Sequence, residues 1–347
     1  MSFMLQNSDT TVMSTNVIES ALNGDYSASA DYVATQSVYL NNRVWECMTA
    51  NGPATAVVTP GSDINYWIDK GPAPYSPTVD YLVGDEVVNN HRVWTANSAN
   101  GPTTTVIEPI AGIIEWTDNG ATNAYKLFDE KITTQTVNSD LIEYKINSEY
   151  FDTVMLLGFE AESFEIEIRD QIDESLIDTI VIAYDDIIEP ATDYDDWFFG
   201  NTIPKIDYLI NTGTYYGAII VIKIHNLGSF AKCGSLIIGR KDVLGNTQYG
   251  VSIGQTDYSK VTTDDNGDLY VKEGRVSIRN NYSVLVDTPI IDVVNKKIRA
   301  RRGKLTVIVG NQNFESMIIY GIIKHFDLVV PNPKKSEMNL EIEGEAR

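Results

Sequence analysis

The feature that most limits the fold of this chain is an internal repeat with an offset of 49 residues. Tyr32 recurs at Tyr81, and Arg43-Val44-Trp45 recurs at Arg92-Val93-Trp94. The same offset relates Val38 to Val87, Asn51-Gly52-Pro53 to Asn100-Gly101-Pro102, Pro60 to Pro109, Trp67 to Trp116, and Gly71 to Gly120. Because the register holds without a gap, the two stretches are predicted to be two copies of one small fold.

Each copy has the pattern of a small β module, and we place the copies at residues 25–72 and 73–120. Strands are predicted beside the repeated Tyr, over Val38-Tyr39 and Glu86–Val88, over Val44–Cys47 and Val93–Ala96, with Asn-rich tight turns between the last two. A module of this size buries little apolar area, so most of its Trp and Tyr rings are expected in the core. The alternative is that one or two rings per module stay exposed and stack on sugar rings.

Composition excludes several classes of partner. The formal net charge is −22, which argues against nucleic acid and against anionic membrane surfaces. The two cysteines, Cys47 and Cys233, are too few for a disulfide framework. The first residues lack a signal-peptide pattern, and no apolar run is long enough to span a membrane. Residues 1–24 are predicted to be an N-terminal arm, with a helical turn around residues 17–22, whose order depends on a partner.

From residue 121 the pattern predicts two larger β-sandwich domains of jelly-roll type, at 121–239 and 240–347. The chain as a whole is therefore predicted to be all-β. Hairpin turns are expected at Gly245-Asn246, Asn266-Gly267 and Asn280-Asn281. Residues 140–196 contain eighteen acidic and two basic residues, which we interpret as a solvated acidic face.

One basic block stands out in this acidic chain. It contains Lys296, Lys297, Arg299, Arg301 and Arg302. A solvated face is the simplest interpretation. The alternative is a subunit interface in which the block contacts the acidic region of a neighbouring copy, because complementary patches steer association.

No catalytic, metal or cofactor site is predicted. The three histidines, His91, His225 and His325, have no metal-ligand spacing, and nucleophile and phosphate-loop motifs are absent. The Asp264–Asp268 stretch lacks the Glu of a calcium loop. Acidic pairs are abundant, so residue types alone leave a glycosidase open, but no pair stands out. We therefore expect a protein that is not an enzyme.

The repeat resembles the small chitin- and cellulose-binding modules of bacterial chitinases and phage structural proteins. Copy two keeps Tyr81-x-x-Gly84-Asp85-x-Val87 and Trp94-x-Ala96 of that pattern, whereas copy one has Thr35-Gln36 in place of Gly-Asp. The resemblance implies carbohydrate binding, with copy two favoured. The candidate sugar-binding residues are Trp94, Trp116, Tyr81, Trp45, Trp67 and Tyr32.

The second half resembles minor virion proteins of tailed bacteriophages. The resemblance rests on Gly239-Arg240-Lys241, Leu244–Thr247 and Asp257–Lys260, and on the order of the parts along the chain. It implies a virion location, in the tail or connector, with other virion proteins, further copies of the chain and host-surface glycans as partners. The function predicted is a structural protein that displays glycan-binding modules. The alternative is a purely architectural tail, collar or nozzle component that binds no sugar.

Overall fold

The structure is a computed structural model that describes residues 2–7, 10–189, 191, 193–200, 203–264 and 267–347. Only the backbone is described for residues 2, 6, 7, 196 and 197. Within these residues the protein is all-β, as predicted, with two short α-helices.

Twenty strands make up the described fold. They are β1 (Ser2–Asn7), β2 (Thr10–Thr15), β3 (Ser37–Leu40), β4 (Arg43–Cys47), β5 (Trp67–Pro72), β6 (Glu86–Asn89), β7 (Arg92–Ala96), β8 (Trp116–Ala121), β9 (Thr136–Leu157), β10 (Ser163–Asp170), β11 (Leu176–Ile182), β12 (Asp207–Cys233), β13 (Ser235–Thr247), β14 (Ser252–Asp257), β15 (Lys260–Thr263), β16 (Leu269–Lys272), β17 (Val276–Asp287), β18 (Thr306–Val309), β19 (Ile318–Val329) and β20 (Lys335–Gly344). The helices are α1 (Tyr194–Phe199) and α2 (Ile291–Ala300).

Each repeat copy is a three-stranded antiparallel sheet, β3-β4-β5 in copy one and β6-β7-β8 in copy two. The turn between the first two strands has positive φ at both central residues, 53° and 58° at Asn41 and Asn42 and 49° and 60° at Asn90 and His91. This geometry is a type I′ turn, which suits the twist of a hairpin and which Asn tolerates better than most residues. The predicted hairpins are confirmed. The predicted strands beside the repeated Tyr are wrong, because Tyr32 and Tyr81 form only isolated bridges.

Strands β15 and β16 form a separate hairpin, and the other twelve strands form one large antiparallel sheet in the order β11-β10-β12-β9-β13-β1-β18-β19-β20-β17-β14, with β2 also pairing β9. A further pairing joins β13 to β17 through Asn246↔Leu285 and Thr247↔Val284. Because β17 is also connected to β13 through β20, β19, β18 and β1, these six strands close into a ring. We call it the six-stranded ring; it surrounds a core that includes Met4, Leu244 and Tyr282.

The long strands β9 and β12 carry the second large core. Alternate residues of β9, β10 and β12, such as Ile142, Ile166 and Ile222, pack together with Ala124 and Leu127 from the segment after copy two. The apolar run at residues 217–224 is central in this sheet, since this part of β12 lies between β10 and β9. The predicted domain boundary at 239/240 falls inside β13, so this strand contributes to both cores.

The N-terminal segment is part of this sheet, which corrects the predicted partner-dependent arm. Strand β1 lies between β13 and β18, and Phe3, Met4 and Leu5 are at most 2% exposed. Strand β2 pairs with β9. The helical turn predicted around residues 17–22 is wrong, because this stretch consists of bends without helix.

Two further predictions in the C-terminal part need correction. Gly245-Asn246 lies within β13 and Asn280-Asn281 within β17, so neither is a hairpin turn. The prediction for Asn266 lies outside the described residues, as do residues 1, 8, 9, 190, 192, 201, 202 and 265 of other predicted segments. The basic block belongs to helix α2 and the turn after it, an element that the all-β interpretation missed.

The structure explains why both copies keep the Asn-Gly-Pro motif. Asn100 is 1% exposed and its side-chain amide donates to the carbonyl of Ile107 at 3.0 Å. Gly101 has φ 138°, and a Cβ there would lie 2.6 Å from both Cα of Asp80 and the carbonyl oxygen of Val79. Copy one repeats this close approach at Gly52. Only glycine allows the chain to pass here.

We therefore expect Gly101→Ala to destabilise copy two by clearly more than Gly120→Ala. Gly120 also has a positive φ, 102°, but nothing lies within 4 Å of its would-be Cβ. The control should cost about 1–2 kcal/mol for the backbone conformation alone, and Gly101→Ala adds a backbone clash. Hydrogen exchange of copy two measures both changes. Equal losses in the two variants would contradict this explanation of the motif.

Candidate functional site

Five of the six candidate sugar-binding residues have side chains buried in the cores of the modules. Tyr32, Trp67, Tyr81, Trp94 and Trp116 are between 1% and 6% exposed. A sugar ring stacks on a free aromatic face, and these rings have almost none to offer. These five rings therefore lie in the module cores, which is the first of the two interpretations given above.

Each module core is built on the same aromatic triad. In copy two, Tyr75 stacks on Tyr81 at a centroid distance of 5.6 Å, and Trp116 meets both rings edge-on at 5.9 and 5.8 Å. Copy one repeats the arrangement with Tyr26, Tyr32 and Trp67 at 5.5 to 5.7 Å. The indole of Trp116 donates to the carbonyl of Ile107 at 2.9 Å, so its polar atom is satisfied within the core.

Trp45 is the exception among the six, because it is only partly buried. Its indole donates to the carbonyl of Leu40 at 3.2 Å, and its ring edge lies beside Gly61. The equivalent Trp94 is 4% exposed. The repeated Trp with free surface is therefore in copy one, whereas the sequence pattern favoured copy two.

A groove of about 490 Å³ lies at the junction of the two copies. Copy one contributes Tyr26, Tyr39 and the hairpin turn at Asn41 and Asn42, and copy two contributes the stretch from Ala73 to Ser76, with Val79 and Tyr81. The junction is held by a hydrogen bond of 2.8 Å from the amide of Ala73 to the carbonyl of Asn42. An ion pair of 3.5 Å between Arg43 and Glu86 also spans it.

The groove combines aromatic walls with short polar side chains. Tyr26, Tyr39 and Tyr75 are half-buried, while Asn41 and Asn42 are exposed at its rim. Planar apolar faces beside amide donors and acceptors suit a sugar ring, which has apolar C–H faces and a polar hydroxyl edge. Burial raises the pKa of the Tyr75 hydroxyl, so this side chain stays neutral at physiological pH.

Tyr26, Tyr39 and Tyr75 are not among the site residues predicted from the sequence. Tyr26 and Tyr75 keep the offset of the repeat, so extending the register upstream from Tyr32 would have found them. Tyr39 has no aromatic counterpart, since the equivalent residue of copy two is Val88. A comparison of the copies therefore identifies Tyr39 as the aromatic residue that distinguishes the groove side of copy one.

The equivalent junction after copy two is closed. His91 occupies the place of Asn42 in the repeat, and its carbonyl accepts a hydrogen bond from the amide of Thr122 at 2.9 Å, as Asn42 does from Ala73. The His91 ring stacks on Tyr125 with centroids 3.6 Å apart, and its Nδ1 lies 2.8 Å from Glu19. These side chains fill the position that stays open between the copies.

No protein family matches the chain, and no curated protein sequence is significantly similar to it.

The predicted interface residues lie on and after α2. Val294 and Ile298 of this helix are buried in the core of the six-stranded ring. Lys297 forms an ion pair of 2.9 Å with Asp242. Lys296, Arg299 and Arg302 are exposed and form no ion pair with another described residue. Burial lowers the pKa of Arg301, which is half-buried.

A second cavity, of about 520 Å³, is lined by carboxylates. Glu189, Asp207 and Glu315 meet there beside Lys205. Partial burial and the neighbouring Glu189 carboxyl group raise the pKa of Glu315 to about 7.

Three further observations concern the described part of the chain. No three His, Cys, Asp or Glu side chains come together there as metal ligands. Neither described helix has the length and apolar character needed to cross a lipid bilayer. Cys47 and Cys233 are both buried and free.

Proposed function

We propose that this chain is a structural protein of a tailed-phage particle whose two N-terminal modules bind host-surface glycans in the groove between them. The groove carries the glycan part of the proposal, because it brings three half-buried tyrosines and two rim asparagines to one concave surface. The virion part rests on the sequence resemblance and on the acidic, strand-rich body behind the modules. Catalysis has no part in the proposal.

Several copies in one particle would make a weak groove effective. A site of this size, open to solvent, is expected to bind a short glycan with millimolar affinity. Copies held in one assembly convert such contacts into avidity, provided that their spacing allows simultaneous binding. The body would then serve to hold the modules, with further virion proteins and further copies of the chain as partners.

Replacing Tyr39 with the residue at the equivalent position of copy two tests the groove. Tyr39→Val should reduce retention of the full-length chain on host envelope polysaccharide by about tenfold or more, equal to roughly 1.4 kcal/mol. The change is tolerated by the fold, since copy two carries Val88 at this site. Pull-down with insoluble polysaccharide and a glycan array measure retention, with Tyr249→Val, at a fully exposed tyrosine, as the control.

The architectural alternative has its own support in the burial of the Trp and Tyr rings. In that case the modules are spacers or subunit contacts, and the groove is a by-product of their junction. If the unchanged chain is retained by no envelope polysaccharide, or if Tyr39→Val and Tyr249→Val behave alike, the architectural function stands and the glycan proposal fails.

A further inference from the structure

Residues 258–264 and 267–274, here called the tongue, form a hairpin outside the large sheet. Strands β15 and β16 pair only with each other among the described residues. Every residue of both strands is exposed. An isolated two-stranded hairpin is marginally stable in water. The tongue is therefore expected to gain stability from a contact outside this copy of the chain.

One face of the tongue is apolar. Val261 pairs with Val271 and Thr263 pairs with Leu269, and directly paired residues lie on the same face. Val261, Leu269 and Val271 are 60% to 68% exposed. Exposed apolar side chains gathered on one face mark an interaction surface.

Charge indicates what kind of surface covers it. The tongue's two basic residues, Lys260 and Lys272, pair with each other on the opposite face, and its three acidic residues include Asp268 and Glu273. The opposite charge is found on α2 and the turn after it, residues 291–304, which we call the basic cap. The cap contains six basic residues and one acidic residue. It also exposes an apolar side chain, Val293, at 53%.

The tongue and the basic cap lie at opposite ends of the same strand. Strand β17 begins at Val276, directly after the tongue, and ends at Asp287, from which a 3-10 turn at Thr288–Ile290 leads into α2. Twelve residues of strand separate the two surfaces by about 40 Å. A contact between them is therefore expected between successive copies rather than within one.

We propose that the tongue of one copy packs on the basic cap of the next, so that the chain associates with itself head to tail. The apolar tongue face would cover Val293, and the acidic residues Asp268 and Glu273 would approach Arg299 and Arg302. Two different surfaces in one contact make a heterologous interface, which gives a closed ring if the rotation between copies closes. This contact rests on the proposed assembly of several copies and is independent of glycan binding.

Charge exchange between two variants tests the contact. Asp268→Lys with Glu273→Lys makes a tongue-reversed chain, and Arg299→Glu with Arg302→Glu makes a cap-reversed chain; all four residues are exposed. Sedimentation velocity at low salt should show self-association of the unchanged chain, weakened at high salt as Coulomb attraction is screened. Each variant alone should associate at least tenfold more weakly. Their mixture should recover association, because each reversed surface then meets an opposite charge.

The control is an equal charge change elsewhere, Glu149→Lys with Asp185→Lys, both exposed in the acidic region 140–196. It should leave association unchanged, and circular dichroism should show that every variant is folded. A monomeric unchanged chain, or reversed chains that associate normally, would overturn the contact. A third outcome would also overturn it: the control and the cap-reversed chain lose association, while the tongue-reversed chain associates normally. That pattern would show that the cap contacts the acidic region 140–196 instead.

Discussion

Met4→Ala is expected to lower the free energy of unfolding of the body by about 2–5 kcal/mol, the usual cost of truncating a fully buried methionine. Met4 is completely buried and packs in the core of the six-stranded ring. Its backbone lies between Asp242 of β13 and Ile308 of β18. Because β1 joins β13 to β18 at this point of the ring, loosening it opens the ring here as well as leaving a cavity.

The matched control is Met13→Ala in β2, the next strand along the chain, where the side chain is 49% exposed. This variant should change stability by less than about 0.5 kcal/mol, as surface substitutions usually do. Urea denaturation followed by circular dichroism measures both. Domains are typically stable by only about 5–15 kcal/mol, so the Met4 variant should unfold at a visibly lower urea concentration. Equal midpoints would show that β1 is dispensable for the ring.

Strand β1 also shows where prediction from sequence ends. The hairpins of the two modules follow from local signals, since an Asn-rich turn and its flanking β-formers lie within about ten residues of each other. The partners of Ser2–Asn7 are instead at residues 239–245 and 308–309. Six residues with no turn beside them contain no information about such distant partners, so an arm was the natural prediction.

Helix α2 was missed for a different reason. Its apolar residues Ile291, Val294 and Ile298 follow the i, i+3, i+7 spacing of an amphipathic helix, so the periodic signal was present. Because Lys and Arg are concentrated in this segment, its pattern was interpreted as a solvated charged face rather than as a helix. Cations near the C-terminus of a helix also interact favourably with the helix dipole. The basic block therefore stabilises α2 itself, besides any contact it makes.

The candidate site was also predictable only in part from the sequence. Repetition of Trp and Tyr at one offset correctly indicates aromatic modules, but it does not say which rings face outward. Burial depends on how the copies pack on one another, and the groove exists only at their junction. Tyr39 was identifiable in principle, because a difference between two copies of one fold, here Tyr39 against Val88, marks a place where their environments differ.

Trp116→Ala is expected to unfold copy two while the body stays folded. Trp116 is 3% exposed, meets Tyr75 and Tyr81 edge-on, and satisfies the carbonyl of Ile107. Removing a buried Trp costs about 3–5 kcal/mol, and the buried core of this module has only four other members: Tyr81, Val87, Trp94 and Ala96. A module of under 50 residues has little stability to lose.

Hydrogen exchange with mass spectrometry distinguishes this local unfolding from a global one. Residues 73–121 should lose protection in Trp116→Ala, while β9 and β12 keep it, and the control Ile114→Ala, at 84% exposure, should leave both unchanged. Persistent protection of copy two would show that the aromatic triad does not hold the module. Because Tyr75 belongs to both the triad and the groove, this variant would lose any glycan binding through unfolding. Binding is therefore tested at Tyr39, outside the triad, and stability at Trp116.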